Sequence, residues 1–199
     1  MSASVGEQLQ ILVVCRANLC RSPMAERLTS HLLSGRSAAR AAGIVVHSAG
    51  THATDGQPMH PWARKALVSH GVLDDDFLSR RLQPALLQQA NLVLTASRVE
   101  RAHCARLAPT SMKRTFTLFQ FARLASIMPG APLNTLATPA QRLAAVLASV
   151  PLLRTLAPAE TADDDDLPDP VSGPVAGFQQ CAQQISRAVE RIATVIAPH

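Results

Sequence analysis

Short apolar runs along the chain predict buried β-strands. The first, Gln-Ile-Leu-Val-Val-Cys at Gln10–Cys15, is continuous and rich in β-branched residues, which is typical of a strand covered on both faces. Comparable runs predict further strands at 44–49, 92–95 and 114–118. Because parallel sheets are built from strands of this kind, the pattern favours a parallel sheet.

Stretches with helical spacing separate the predicted strands. Apolar residues recur every four positions from Met24 to Leu32, after Ser22 as the expected N-cap and Pro23 at the first helical position. A second helix is predicted at 61–70. Strands that alternate with helices predict an α/β fold, a doubly wound four-stranded parallel sheet with helices on both faces.

The last third of the chain is less regular. Residues 125–168 are rich in Ala, Leu and Pro, and the acidic run 163–166 is expected to be a solvated loop. Within this stretch, one helix packed on the body is predicted from Leu143, Val146, Leu147 and Val150. From Ala176 onward, an amphipathic helix is predicted from the apolar positions Phe178, Cys181, Ile185, Val189, Ile192 and Ile196.

Length and cysteine content narrow the class of protein. A chain of 199 residues can bury one sizeable core, so a single domain over residues 1–199 is expected. No run approaches the ~20 apolar residues of a membrane span. The N-terminus lacks the layout of a signal peptide, which favours a cytoplasmic protein. Four cysteines are too few for a disulfide scaffold, so the thiols are expected to stay reduced.

The charge of the chain suits an anionic substrate. The formal net charge is +5, but the basic residues are scattered along the sequence. Aromatic residues make up 3 % of the chain and there is no tyrosine to stack on bases, so no nucleic-acid partner is expected. The seven histidines lack the spacing of metal ligands, and no metal site is predicted.

The strongest chemical signal follows the first predicted strand. Cys15 and Arg21 stand at the two ends of five intervening residues, where this strand hands over to a helix. Backbone N–H groups in such a turn can point inward, and the positive end of the helix adds to their field, so the turn is expected to bind phosphate. The predicted phosphate-binding residues are Arg16, Ala17, Asn18, Leu19, Cys20 and Arg21.

The side chains of this segment fit nucleophilic attack on phosphorus. The field that binds phosphate also stabilises a thiolate, so Cys15 is the expected nucleophile. Arg21 can bind two phosphate oxygens, and the Ser22 hydroxyl can donate to the sulfur. Asn18 lies where a left-handed backbone is expected. A cysteine after a buried strand is usually inert core, and the Ser-Pro and helix that follow are what favour the phosphate site.

The segment Val-Cys-Arg-Ala-Asn-Leu-Cys-Arg-Ser-Pro-Met-Ala-Glu at 14–26 closely resembles the phosphate loop of the low-molecular-weight protein-tyrosine phosphatases. The resemblance covers about residues 9–124 and 166–197, which leaves an Ala- and Pro-rich insertion at about 125–165. The other matching segments are His47-Ser-Ala-Gly-Thr51, His60-Pro61, Ser79-Arg-Arg-Leu82 and Asn91-Leu-Val-Leu-Thr95.

This resemblance implies a fold and a mechanism. The implied fold is flavodoxin-like, and the implied reaction is hydrolysis of phosphotyrosine in proteins, or of small phosphate esters, through a phosphocysteine intermediate. Inorganic phosphate is expected to bind in the same loop. Asp169, in the Asp-Leu-Pro-Asp-Pro segment at 166–170, is the implied general acid, with the acidic residues 163–166 as competitors. Neither a metal nor a cofactor is required.

Some positions depart from the family pattern. Val171 stands where an aromatic residue commonly walls the substrate ring, and Ala17 where glycine is frequent. Arg16 either forms a positive rim that favours acidic or multiply phosphorylated substrates, or points to solvent. Cys20 either forms a reversible disulfide with Cys15 under oxidation or serves as a small packing residue.

Two other functions fit parts of the pattern. Thioredoxin-coupled arsenate reductases resemble this loop but need a further pair of cysteines, whereas the middle of this chain offers only Cys104. A non-catalytic phosphate-binding or regulatory protein would be free to lose at least one catalytic candidate. All four are present, namely Cys15, Arg21, Ser22 and Asp169, so the pattern favours a phosphatase.

Overall fold

A four-stranded parallel sheet forms the centre of the molecule. The computed structural model describes residues 8–73, 76–130, 133 and 135–198. The strands are β1 Gln10–Cys15, β2 Val45–Gly50, β3 Leu92–Thr95 and β4 Thr115–Thr117, in the spatial order β2-β1-β3-β4. All three strand pairs are parallel, which confirms the predicted sheet.

Helices connect the strands and close the chain. Their bounds are α1 Arg21–Ser34, α2 Ser37–Ala41, α3 Pro61–Val68, α4 Pro84–Gln89, α5 Arg98–Leu107, α6 Leu118–Ser126, α7 Pro139–Leu156 and α8 Ala176–Ile196. Single 3₁₀ turns lie at Pro109–Arg114, Ala162–Asp165 and Pro170–Ser172. The helix predicted at 61–70 therefore ends two residues early. The first and third strands have the predicted bounds, and the second and fourth differ from the prediction by one residue at each end.

Alternate side chains of β1 enter two separate cores. Ile11 and Val13 pack into the larger core with α1, α3, α6, α7 and α8. Leu12 and Val14 pack into a smaller core with α4 and α5 on the other face. Because successive residues of a strand point to opposite faces, this division shows that helices cover both sides, as predicted for a doubly wound sheet.

The apolar stripes of the two long C-terminal helices are confirmed. On α7, Leu143, Val146 and Val150 are buried in the larger core, and Leu147 packs at its margin. All six apolar positions predicted for α8 are buried. Across the residues that the structure describes, no helix has the length and apolar character needed to cross a membrane.

The acidic run at 163–166 is only partly the solvated loop that was expected. Asp163 and Asp164 are exposed, but a 3₁₀ helix at Ala162–Asp165 includes most of the run, and Asp165 is 8 % exposed. The prediction is wrong for Asp165 because its carboxylate meets the guanidinium of Arg123 on α6 at 2.7 Å. This ion pair anchors the run to the body of the protein.

The strand order fixes where a ligand would bind. The chain leaves β1 to one side to form β2 and returns to the other side to form β3. Loops after β1 and β3 therefore diverge at the carboxyl end of the sheet, and ligands of open α/β sheets bind in the crevice at such a switch point. Cys15 is the last residue of β1, so it lies at this crevice.

Candidate active site

The segment 15–22, here called the phosphate loop, wraps around the sulfur of Cys15. The Asn18 amide donates to Cys15 Sγ at 3.3 Å, and the Ser22 hydroxyl donates to it at 3.0 Å. Asn18 has a φ of 55°, so the left-handed conformation predicted there is present. The phosphate loop thus directs two hydrogen-bond donors at one sulfur.

The N-cap of α1 differs from the prediction. The helix begins at Arg21, and its N-cap is Cys20, whose side chain makes no capping hydrogen bond. Ser22 therefore lies inside the first helical turn, and its hydroxyl is directed to Cys15 rather than to a helical amide. The expected capping role is wrong because the helix begins one residue before Ser22, which leaves Cys20 at the N-cap position.

A buried hydrogen-bond network supports the loop from behind. The Asn18 side-chain amide donates to Ser22 Oγ at 2.9 Å and to Ser48 Oγ at 2.8 Å, and its carbonyl accepts the Arg80 amide at 2.8 Å. Ser48 in turn donates to Glu26 at 2.5 Å. The sequence assigned no role to Ser48 or Glu26, although both lie in the segments that carry the family resemblance.

Gly50 lets β2 end directly against the phosphate loop. A Cβ at this position would lie 2.8 Å from the Arg16 carbonyl oxygen and 2.8 Å from the Asn18 amide nitrogen. Backbone atoms of the loop cannot give way at that distance without changing its shape. Glycine is therefore required by close approach, as its φ is not left-handed.

Several amides of the phosphate loop are available to a bound anion. Within the described part of the chain, the amides of Ala17, Leu19 and Cys20 donate to no protein acceptor. The Cys20 side chain is buried, and buried amides normally have partners. An anion held over Cys15 would supply the acceptors, and the N-terminus of α1 would add a favourable dipole.

Arg21 is buried beside the loop and lies between two carboxylates. Its Nη2 is 2.7 Å from Asp169 Oδ2 and 3.8 Å from Glu100 Oε1, and its Nη1 donates to the Leu167 carbonyl at 3.2 Å. Glu100 is 5 % exposed and also accepts the Ser97 hydroxyl. The sequence did not identify Glu100; its one signal is the Ser-Arg-Val-Glu pattern at the start of α5, which is typical of a capping box.

Asp169 is brought to the phosphate loop by the segment 161–172, here called the acid segment. Its carboxylate is 39 % exposed, and Oδ1 accepts the Val171 amide at 3.2 Å. The competing residues are paired elsewhere, since Asp163 and Asp166 bind Arg98 while Asp165 binds Arg123. Asp164 bonds to Thr161. Asp169 is thus the carboxylate of this run that contacts Arg21.

Comparison with known proteins identifies the family of the chain. The sequence profile of the low molecular weight phosphotyrosine protein phosphatases matches residues 10–127, which is more than half of the 199 residues. The chain belongs to this family. The resemblance drawn from the phosphate loop and the expectation of a cysteine-dependent phosphatase are confirmed at this level.

Named members of the phosphatase family are similar over different lengths. Low molecular weight protein-tyrosine-phosphatase Etp of Escherichia coli is 31 % identical over 111 residues, which are 56 % of this chain and 70 % of that protein. A low molecular weight protein-tyrosine-phosphatase of Streptomyces coelicolor is 27 % identical over 184 residues, 90 % of this chain and 88 % of that protein.

Solved structures share the fold of this phosphatase. The YwlE arginine phosphatase of Geobacillus stearothermophilus has a TM-score of 0.66 at 22 % identity and covers 93 % of this chain and 90 % of its own. Vibrio vulnificus Wzb, in complex with benzylphosphonate, has a TM-score of 0.65 at 22 % identity, and the match covers 94 % of this chain and 97 % of the Wzb chain. At these identities, the comparison establishes the flavodoxin-like fold.

The thiols of the phosphatase differ in environment. Cys15, Cys20, Cys104 and Cys181 are all free and buried. Burial raises the pKa of Cys20 to about 12, and the nearby Cys15, Asp169 and Cys181 add to the rise. Burial also raises the pKa of Cys104 and of Cys181 to about 12. These three groups are therefore thiols at neutral pH.

A basic rim surrounds one side of the phosphate loop. Arg16 is exposed, and its carbonyl accepts the His52 amide at 2.8 Å. The rings of His52 and His103 meet edge to face, with centroids 5.5 Å apart. Burial lowers the pKa of His103, and the charges of His52, Arg106 and Arg81 lower it further. His103 is therefore neutral at neutral pH, and the positive charge at this edge of the site comes from Arg16, Arg81 and Arg106.

Proposed function

We propose that the chain hydrolyses phosphotyrosine in proteins, and related phosphate monoesters, in the cytoplasm through a phosphocysteine intermediate. The observation that carries the proposal is the arrangement around one sulfur. Cys15 Sγ accepts hydrogen bonds from Ser22 and Asn18, at the start of a helix whose first residue, Arg21, contacts Asp169 at 2.7 Å. A nucleophile, an oxyanion cradle and a proton donor are therefore held at one crevice.

The first displacement forms a bond between sulfur and phosphorus. The Cys15 thiolate attacks phosphorus while the bond from phosphorus to the tyrosine oxygen breaks, and Asp169 gives its proton to the leaving oxygen. The amides of residues 16–21 and the Arg21 guanidinium bind the three non-bridging oxygens. Ser22 stabilises the thiolate before the attack.

The second displacement regenerates the enzyme. The Asp169 carboxylate accepts a proton from water, the water oxygen bonds to phosphorus, and the bond from phosphorus to sulfur breaks. Ser22 then donates to the departing Cys15 thiolate, which makes it a better leaving group. Inorganic phosphate leaves the loop with Asp169 protonated again, so no cofactor enters the balance.

The ion pair between Arg21 and Asp169 has a part in the first step. A phosphate dianion bound by Arg21 competes with Asp169 for the same guanidinium. Its negative charge beside Asp169 favours the protonated carboxyl, which is the form that a general acid needs. Substrate binding would thereby release Asp169 from Arg21 and favour its protonation in one event.

The basic rim and the acid segment suggest which phosphotyrosines are preferred. Arg16, Arg81 and Arg106 would attract a substrate with acidic residues or a second phosphate next to the phosphotyrosine. Val171 is 58 % exposed beside Asp169 and offers less surface to a phenyl ring than an aromatic residue would. We therefore infer that charge contributes more to substrate choice than ring stacking does.

We also infer that the chain is one phosphatase domain with an insertion at about 125–165. The profile match ends at residue 127, and α7 lies beyond it. The apolar stripe of α7 joins the same core as β1 and α8, which supports a single folding unit.

The test is steady-state hydrolysis of p-nitrophenyl phosphate and of phosphotyrosine peptides in reducing, metal-free buffer. Wild type should hydrolyse both, Cys15→Ser should lose turnover, and Asp169→Ala should keep phosphate binding but lose about 10²-fold or more in kcat. Arg16→Gln should raise KM for an acidic peptide more than for a neutral one. Full activity of Cys15→Ser would contradict the mechanism, and hydrolysis of phosphoarginine alone would contradict the substrate.

A reversible disulfide between Cys15 and Cys20 is part of the proposal. Peroxide would oxidise the Cys15 thiolate to a sulfenic acid, and the Cys20 thiolate would attack that sulfur and release hydroxide. Since the pKa of Cys20 is raised to about 12, its thiolate fraction grows with pH throughout the accessible range. Disulfide formation, followed by mass spectrometry, should accelerate about tenfold per pH unit between about pH 7 and 9. A rate independent of pH would exclude Cys20 as the attacking thiol.

A further inference from the structure

A second cavity lies between α7 and the β4 edge of the sheet, apart from the phosphate loop. Its volume is about 480 Å³. Arg101 of α5, Lys113 and Phe116 line one wall, and Leu147 and Arg154 of α7 line the other. Because α7 lies outside the matched residues 10–127, half of this cavity is built by the segment that we infer to be an insertion.

Three cations converge on the cavity without neutralising carboxylates. In the regions described by the structure, Arg101, Lys113 and Arg154 form no ion pair. The Arg101 Nε donates to the Thr115 carbonyl at 3.0 Å, which fixes the guanidinium and leaves its outer nitrogens for another acceptor. Burial lowers the pKa of Arg101 and the charge of Arg154 lowers it further, with Asp165 opposing. The charges of Arg101 and Arg154 repel each other, Lys113 adds a third cation to the lining, and an anion would relieve the repulsion.

The rest of the wall is apolar. Phe116 is 1 % exposed, and the Arg154 guanidinium lies over its ring with 5.7 Å from Cζ to the centroid. Met112 and Leu147 are half-buried on either side. A cavity that joins positive charge to an aliphatic and aromatic wall matches a ligand with an anionic head and an apolar body.

We propose that this cavity binds a small organic anion, a carboxylate or similar head group on an apolar or aromatic body. The volume falls within the range of small-molecule sites, about 300–1,000 Å³, rather than that of a protein interface. An inorganic anion would leave the apolar wall unused, and an apolar cation would meet three positive charges. The inference is independent of the proposed phosphatase reaction, since neither Cys15 nor Asp169 lines the cavity.

The probe is 2-naphthoate, titrated into the full chain labelled with ¹³C-methyl methionine. Inorganic phosphate is kept in excess so that the phosphate loop is occupied. The Met112 methyl signal should shift and saturate, while those of the buried Met24 and Met59, which lie elsewhere in the core, should not. Arg101→Gln with Arg154→Gln should weaken the naphthoate affinity about tenfold or more. Arg187→Gln, on α8 and outside the cavity, is the matched control and should bind as wild type does.

Further ligands and a further variant separate the contribution of charge to binding from that of apolar contact. 2-Naphthylmethylammonium, with the same ring system and the opposite charge, should leave Met112 unmoved, and so should sulfate. Equal binding of the ammonium compound, an unchanged affinity in the double variant, or a naphthoate titration without a Met112 shift would each overturn the proposal. Unshifted Met24 and Met59 signals verify that the double variant is folded, and the exposed Lys113→Gln gives a second test with little risk to the fold.

Discussion

The phosphate loop and the acid segment supply the two halves of one proposed reaction, yet they are held in place by different forces. The loop depends on buried hydrogen bonds, and Asn18, Ser22 and Ser48 are each 0 % exposed. The acid segment depends on ion pairs to arginines of the body, formed by Asp165, Asp166 and Asp169.

Because of this difference, the shape of the phosphate loop and the mobility of the acid segment should respond differently to salt and to substitution. A buried hydrogen-bond network is hardly affected by salt, and losing one member leaves the others without partners. Ion pairs near the surface are weaker and are screened by salt. We therefore expect a substitution in the loop network to remove activity by distorting the anion cradle. A substitution in the acid segment that leaves Asp169 in place should change only how often Asp169 is in position.

The largest effect is expected from the centre of the loop network. Asn18→Ala removes the donors to Ser22 and Ser48 and the acceptor of the Arg80 amide, and it places a Cβ residue without local hydrogen bonds at a φ of 55°. Displacement of the cradle should lower kcat/KM for p-nitrophenyl phosphate by about 10²-fold and weaken phosphate binding. Asn18→Gly, which keeps the backbone conformation, separates the two causes. Retention of full phosphate affinity by both variants would contradict the claim that the buried network holds the phosphate loop in shape.

A smaller effect is expected where the two regions meet. Glu100→Gln removes the buried charge 3.8 Å from Arg21 while keeping the size of the side chain. Of the two carboxylates that pair with Arg21 in the described part of the chain, Asp169 then remains. We therefore expect the position of Arg21 to loosen and KM to rise about tenfold, with kcat less affected. Stopped assays at several substrate concentrations separate the effect on KM from the effect on kcat. A change in kcat alone would mean that Glu100 acts on the chemical step rather than through Arg21.

The smallest effect is expected at the outer edge of the acid segment. Arg98 binds Asp163 and Asp166, and it is well exposed. Arg98→Gln should lower kcat about twofold to threefold at low salt, and the gap to wild type should close as ionic strength rises. Arg191→Gln, at an exposed arginine of α8, serves as the control for net charge. A gap that persists in high salt would show that the ion pairs do not hold the segment.

The sequence predicted the parts of the site that are local. Cys15, Arg21 and Ser22 lie within eight residues at a strand-to-helix junction, and the chemistry of that junction can be read from the residue types alone. The left-handed Asn18 follows from the same reasoning. Asp169 could be proposed only through the family resemblance, because its neighbours in the acidic run are chemically equivalent to it.

The parts that escaped prediction depend on contacts between distant segments. Glu100 reaches Arg21 from another helix, and Asp165 is buried because Arg123 of α6 meets it. Ser22 was expected to cap α1, but the helix begins already at Arg21, and the Ser22 hydroxyl donates to Cys15 from inside the first turn. In each case, an ordinary local role was overridden by a partner whose position is set by the packing of the sheet and helices.

The pairing of Arg21 with Asp169 joins positions 148 residues apart in the sequence. A ribosome adds residues in order at about 5–20 per second, so the nucleophile emerges several seconds before the acid does. Until the acid segment has been synthesised, the nascent phosphate loop has no proton donor for a leaving group. The proposed pairing of nucleophile and acid is therefore completed only after most of the chain has been synthesised.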